Sequence, residues 1–240
     1  MRRREFISGV GGVIAASTAP FGRWAVAADS TGLAMPSDKC RPTLRQTEGP
    51  FLTPDSPRRS DIREDRPGVP VHLRLNIMDD LWCEPIKNAA VDIWHSDAAG
   101  LYSGVDNVLF DLQSLRLSGQ SIDMRGTDFL RGHQVSGEDG RVEFTTIFPG
   151  WYTGRLPHIH IKTIIEGLAW SSHVTQLYLP TEIERTVYGT PAYADRGPNP
   201  IGIDRDLVAR GDAAAVQQLT VPLEKDGEGF RGDFDLAVTF

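Results

Sequence analysis

Apolar and polar residues alternate most plainly from Val69 onward. Val71, Leu73, Leu75 and Ile77 are separated by His72, Arg74 and Asn76, the two-residue period of a half-buried strand. Shorter strand-like runs follow at 90–94, 142–147, 158–164 and 174–179. The C-terminus alternates again through Phe234, Leu236, Val238 and Phe240. Turn chemistry separates these runs, at Asp80, 97–100, 138–140 and Pro149-Gly150. Helical windows are few and short, around 181–188 and 212–218. Spaced strands with so little helix predict an all-β sandwich or barrel. The stretch 28–68 is rich in Pro, Asp, Arg and Ser, lacks an apolar period, and reads as an extended arm over a core domain at 69–240.

The N-terminus has a different pattern. Arg3-Arg4-Glu5-Phe6-Ile7 has the twin-arginine form, followed by a Gly- and Ala-rich apolar run from Ile7 to Ala19 and small residues at Ala25-Val26-Ala27. A membrane anchor is the bland alternative. The glycine-interrupted run falls well short of the ~20 residues that span a bilayer. Residues 1–27 are therefore expected to be a twin-arginine signal peptide, cleaved after Ala27 or Ala28. The partner implied is the twin-arginine export machinery, and the location periplasmic or extracellular, without stable membrane insertion after signal removal. That route carries folded proteins, which suits a protein that acquires a metal before export.

Formal net charge is −7, and removing the four arginines and one glutamate of residues 1–27 leaves −10. With no basic stripe, nucleic acid is disfavoured as a partner. The two cysteines, Cys40 and Cys83, are too far apart for a zinc motif. In an oxidising compartment a Cys40–Cys83 bridge is favoured over two buried thiols, and would contribute on the order of 4 kcal/mol.

Candidate chemistry concentrates at 151–160. On a strand, His158 and His160 point to one face while Ile159 and Ile161 pack on the other. Alone, His-x-His is a weak signal, more often two histidines on a solvated face. Tyr152 lies just upstream after a Pro-Gly turn, and Tyr102 follows another turn at Ala98-Ala99-Gly100. Either tyrosine alone is an ordinary core or rim residue. Together, two imidazoles and two phenolates form a hard, anionic donor set that favours a trivalent ion over Zn²⁺ or Cu⁺. A bound cation can ionise tyrosines that otherwise titrate near pH ~10. His95 reads as structural, because strand alternation turns it away from Trp94.

The segment 91–104, ending in Leu101-Tyr102-Ser103-Gly104, resembles the first-tyrosine segment of the intradiol ring-cleavage dioxygenases, the group of catechol and protocatechuate dioxygenases. Phe148-Pro149-Gly150-Trp151-Tyr152, Gly154-Arg155 and His158-Ile159-His160 are similar to the segment bearing the other three ligands. Thr47-Glu48-Gly49-Pro50-Phe51, Arg59-Ser60-Asp61-Ile62 and Phe129-Leu130-Arg131-Gly132 resemble an exported branch of that family, in which Ser96 often stands as cysteine. The resemblance runs in order over about residues 40–180.

It implies Fe(III) held by Tyr102, Tyr152, His158 and His160, with Tyr152 and His160 axial. It also implies a catechol-type substrate that displaces the Tyr152 phenolate, and both atoms of O2 entering a muconate-type diacid. Arg155 matches the arginine that stabilises the anionic ring, and Gln176 an active-site glutamine. The overall expectation is an all-β fold, a β-sandwich of mixed topology with an extended N-terminal arm and few short helices. Two other readings stay open: a cupin-like divalent-metal oxygenase using Glu166 as the nearest carboxylate, and an exported, non-catalytic β-sandwich binding module.

Overall fold

A computed structural model describes residues 41–111, 116–165 and 172–239. The expected leader at 1–27, Cys40 and Glu166 lie outside the described residues. Cys83 is disulfide-bonded, and Cys40 is its expected partner. Among the described residues no helix is long and apolar enough to cross a membrane.

Ten strands, two short α-helices and one 3-10 turn at Pro191–Tyr193 make up the described fold. The strands are β1 (Pro70–Asp79), β2 (Ala89–Trp94), β3 (Asp106–Asp111), β4 (Arg116–Asp123), β5 (Arg131–Val135), β6 (Arg141–Ile147), β7 (His158–Ile165), β8 (Ser172–Tyr178), β9 (Leu223–Asp226) and β10 (Gly229–Val238). The helices are α1 (Thr181–Tyr188) and α2 (Ala213–Gln218). One four-stranded sheet has the order β6-β1-β10-β9 and the other β5-β2-β7-β8, with β3 and β4 as a separate hairpin. β1 pairs parallel with β10, with Val71 opposite Phe230, and antiparallel with β6. The topology is therefore mixed and the fold an all-β sandwich.

The predicted alternation is what fills the core. Val71, Leu73, Leu75 and Ile77 of β1 are buried in one apolar cluster with Val91 and Ile93 of β2, Ile159 and Ile161 of β7, and Leu236 of β10. Burying side chains of this size contributes about 1.5–3 kcal/mol each. Sequence windows for both helices were well placed. Asp212 caps α2 by accepting a bond from the Ala215 amide at 2.9 Å rather than joining the helix. Four strands carried no recognisable pattern: β3, β4, β5 and β9.

Residues 41–69 contain no helix or named strand, but they do more than lie over the core. Arg58 and Asp61 make isolated bridges to β5 and β6, and Ile62 is fully buried. A side chain at Gly132 would come within 2.5 Å of Ile62, so a residue without a Cβ makes room for it.

His95, just after β2, is 1% exposed. Its Nδ1 lies 2.8 Å from the Ser96 carbonyl and its Nε2 2.6 Å from Thr146 Oγ1, so both nitrogens have partners. Burial pushes its pKa down to about 4, the Ser96 carbonyl opposing and Arg131 adding to the shift. An unfolded chain takes up this proton near pH ~6.5 and the folded one only near 4. The stability contributed is fully present above about pH 6.5 and is lost as pH falls toward about 4, up to roughly 3 kcal/mol. Denaturant melts at neutral and acidic pH should show a larger acid loss in the wild type than in His95→Gln. Equal losses would contradict this assignment.

Candidate active site

The outer face of the second sheet carries the site. Antiparallel register places Trp94 of β2 opposite His160 of β7, and His160 opposite Gln176 of β8. His158 pairs with Tyr178 in the same way. These residues face away from Ile159 and Ile161, so β7 is covered on both sides. The Trp94 and His160 rings stack at 4.8 Å and 6°, which fixes the imidazole plane.

Two turns bring the tyrosines over this face. In the first, the Asp97 carboxylate accepts from the Ala99 and Leu101 amides at 2.9 Å each. The Asn107 side chain then brackets Tyr102, accepting from its amide and donating to its carbonyl, both at 2.8 Å. Buried Arg131 of β5 holds the next residue, with Nε 2.9 Å from Ser103 Oγ and Nη2 2.6 Å from the Ser103 carbonyl. The second turn runs from Pro149 to Arg155 and closes with the Arg155 amide on the Tyr152 carbonyl at 3.0 Å.

The two turns meet backbone to backbone. The Gly150 amide donates to the Asp97 carbonyl at 3.0 Å, and Ser96 Oγ to the Gly150 carbonyl at 2.8 Å. A Cβ at Gly150 would come within 2.4 Å of the Asp97 carbonyl oxygen. Gly150→Ala should therefore push the two tyrosine-bearing turns apart, costing about 1–3 kcal/mol and weakening metal uptake. Unchanged thermal stability and metal content in that variant would contradict the close approach.

Four donor atoms converge. Tyr102 Oη and Tyr152 Oη each lie 3.3 Å from His158 Nε2, and His160 Nε2 lies 3.1 Å from it. His158 Nδ1 is 2.6 Å from the Leu156 carbonyl. A carbonyl only accepts, so Nδ1 carries the proton and Nε2 presents its lone pair to the cluster. Burial, then Arg155, push the pKa of both histidines well below the ordinary value, His160 adding to the effect on His158. Burial likewise raises both phenols, Tyr102 furthest with Tyr152 adding to it, while Arg155 works in the opposite direction on each. The cluster thus offers neutral imidazoles and phenols that need a nearby cation to ionise. These are the four side chains that could hold a metal ion.

Arg155, 6% exposed, borders the cluster. Its Nη1 is 3.2 Å from His158 Nε2 and 3.5 Å from Tyr152 Oη, and its Nη2 donates to Gln176 Oε1. Gln176 is itself held by Nε2 donating to the Thr47 carbonyl at 2.7 Å. All six residues singled out in the sequence thus lie together. Two neighbours carried no assigned role there. Phe51 stacks on Tyr102 with centroids 4.2 Å apart and meets Tyr152 edge-on at 5.9 Å, walling the site from the arm. Asp206 bonds Arg155 from a loop that shows no motif. Among the described residues no three His, Cys, Asp or Glu side chains group as a metal site, and the cupin-like reading had only Glu166 to supply a carboxylate.

An all-β sandwich with buried tyrosines and histidines gathered on one outer face is the frame of a known class of oxidoreductases. The family model described as Dioxygenase matches residues 48–187, and the chain belongs to the intradiol ring-cleavage dioxygenase family. An intradiol ring-cleavage dioxygenase from Tetranychus urticae is 28% identical with a TM-score of 0.69, over 83% of this chain and 95% of that one. The dioxygenase domain of a carbohydrate-binding fusion protein from Streptomyces sp. SirexAA-E is 29% identical with a TM-score of 0.56, over 83% and 98% of the two chains. A chlorocatechol 1,2-dioxygenase of Rhodococcus opacus is 29% identical over 150 residues, 55% of this chain and 51% of that protein. The match thus spans about half the length of this curated relative.

Proposed function

We propose that the protein is a non-haem Fe(III) dioxygenase that opens a catechol-type aromatic diol between its two hydroxyl-bearing carbons, yielding a muconate-type diacid. The observation that carries this reading is the meeting of Tyr102 Oη, Tyr152 Oη and His160 Nε2 within 3.1–3.3 Å of His158 Nε2. The donor set fits a ferric ion: two phenolates offset two of its three charges, and two neutral imidazoles complete a hard set. When bound, the ion supplies Lewis acidity that draws electron density from the substrate ring.

The chain's own residues divide the remaining work. Tyr102 is 1% exposed and bracketed by Asn107, which suits a ligand that stays in place. Tyr152 is less buried and sits on a tight turn. It is the tyrosine suited to give way to substrate, its phenolate taking up a substrate hydroxyl proton. Arg155 Nη1 lies beside that phenol and is placed to stabilise the anionic ring. Phe51 supplies an aromatic wall. We further propose that residues 1–27 direct export by the twin-arginine route, so that metal is acquired before the protein reaches the periplasm or exterior.

Iron-loaded protein should show a visible tyrosinate charge-transfer absorption that shifts when catechol is added without oxygen. With oxygen, uptake should match formation of a product having the mass of the diol plus both atoms of O2. Colourless iron-replete protein, or a product carrying one oxygen atom, would refute the reading.

A further inference from the structure

Arg155 can act on the site only if its guanidinium is held in one orientation, and one of the two side chains that hold it comes from outside the matched segment 48–187. Asp206 is 1% exposed. Its Oδ2 accepts from Arg155 Nε at 3.1 Å and from the Leu156 amide at 2.7 Å. Its Oδ1 accepts from the Val208 and Ala209 amides at 2.8 and 2.7 Å. Four donors and no acceptor face this carboxylate, so both oxygens are satisfied and the group is itself immobile. A guanidinium is planar with its donors in a fixed fork. With Nε tied to Asp206 and Nη2 to Gln176, Nη1 has one direction left, toward Tyr152 Oη and His158 Nε2.

We propose that Asp206 is the positioning residue of the active site, acting through Arg155 by fixing its Nε edge and so aiming Nη1 at the place where substrate charge develops. The proposal rests on the dioxygenase reading above. Among the described residues Asp206 makes no hydrogen bond to the four donor atoms of the cluster; its effect on turnover runs through Arg155. A simpler role, shaping the 202–212 loop through its bonds to Val208 and Ala209, predicts a loss of rate that does not depend on Arg155.

The test is a double-mutant cycle on the iron-loaded full chain with catechol and oxygen, reading kcat, KM and the visible band. Asp206→Asn keeps the size but turns an amide N–H₂ toward one pair of N–H donors. It should lower kcat about a hundredfold, the scale of a misplaced catalytic group, with a smaller change in KM and the visible band retained. In the Arg155→Ala background the same substitution should change kcat by less than about twofold, as the cycle requires if the two residues act as one unit. Wild-type kcat in Asp206→Asn, or an equal loss in both backgrounds, would overturn the proposal.

Should Asp206→Asn not fold, Asp206→Glu takes its place in the same cycle, keeping the charge while displacing it from the Arg155 Nε edge; its kcat should fall in the wild-type background and change by less than about twofold in Arg155→Ala. Wild-type kcat in Asp206→Glu, or an equal loss in both backgrounds, would overturn the proposal. A wild-type protein without colour or turnover would refute the dioxygenase reading first, and the proposal with it; an active wild type with additive variants refutes the positioning role alone.

Discussion

Tyr102→Phe should lose iron while keeping its fold. The substitution removes one oxygen from a ring that is 1% exposed and stacked on Phe51 at 4.2 Å, so packing is nearly unchanged. What disappears is a donor 3.3 Å from His158 Nε2. In the metal-free protein that oxygen lies in a polar cluster whose ionisation is opposed by burial. Melting of the apo protein should therefore be unchanged or slightly higher. Iron affinity should fall by more than about a hundredfold, beyond the 10–100-fold effect of losing a ligand's outer partner. His160→Ala should lose iron too, but its packing against Trp94 is also lost, so the tyrosine variant is the cleaner experiment. Metal analysis after dialysis and apo-protein melting separate the two effects. Full iron content in Tyr102→Phe would remove that residue from the ligand set.

Arg155→Ala should have the opposite signature: iron and colour retained, turnover lost. Arg155 supplies charge beside the cluster rather than a donor to a metal. Its pKa sits above the ordinary value; burial opposes the charge, but Tyr152, Asp206, Tyr102 and Tyr178 together outweigh it. Removing a preorganised charge of this kind costs about 10²–10³ in kcat. Asp206 would keep its three backbone donors, which limits the loss of stability. Single-turnover measurements on the coloured variant would show the slow step directly. Unchanged kcat would take Arg155 out of the catalytic set.

Much of the fold was legible because simple patterning controls it. β1 and β10 alternate over most of their length, and the predicted inward residues Val71, Leu73, Leu75, Ile77, Phe234, Leu236 and Val238 form the core, Phe240 lying outside the described residues. The strand β7 was located by its two histidines and two isoleucines. Its near-continuous burial, however, was not, because loops from distant parts of the chain cover its outer face. The strand β5, Arg131-Gly132-His133-Gln134-Val135, escaped detection for a related reason. Arg131 is buried by bonds to Ser103, and Gly132 by the intrusion of Ile62, contacts no local period encodes. The short β9 carries only exposed or half-buried residues and has no apolar face to announce it.

Site residues were legible where they sit in dense motifs, and the structure brings Tyr102, Tyr152, Arg155, His158, His160 and Gln176 together. Asp206 was not legible. In Gly202-Ile203-Asp204-Arg205-Asp206 two carboxylates look equivalent, yet Asp204 is exposed and Asp206 is buried against four donors. Only the tertiary path of the loop separates them. The arm was underestimated similarly, since Thr47 and Phe51 form a wall of the site through contacts with Gln176 and Tyr102, and a Cβ at Gly49 would lie 3.2 Å from the His160 ring.

Anomalous diffraction at the iron edge from crystals of the iron-loaded protein would test the central claim most directly. The account predicts one strong peak, within bonding distance of Tyr102 Oη, Tyr152 Oη, His158 Nε2 and His160 Nε2 together. Iron located elsewhere, or bound by the histidines with both phenols turned away, would contradict it.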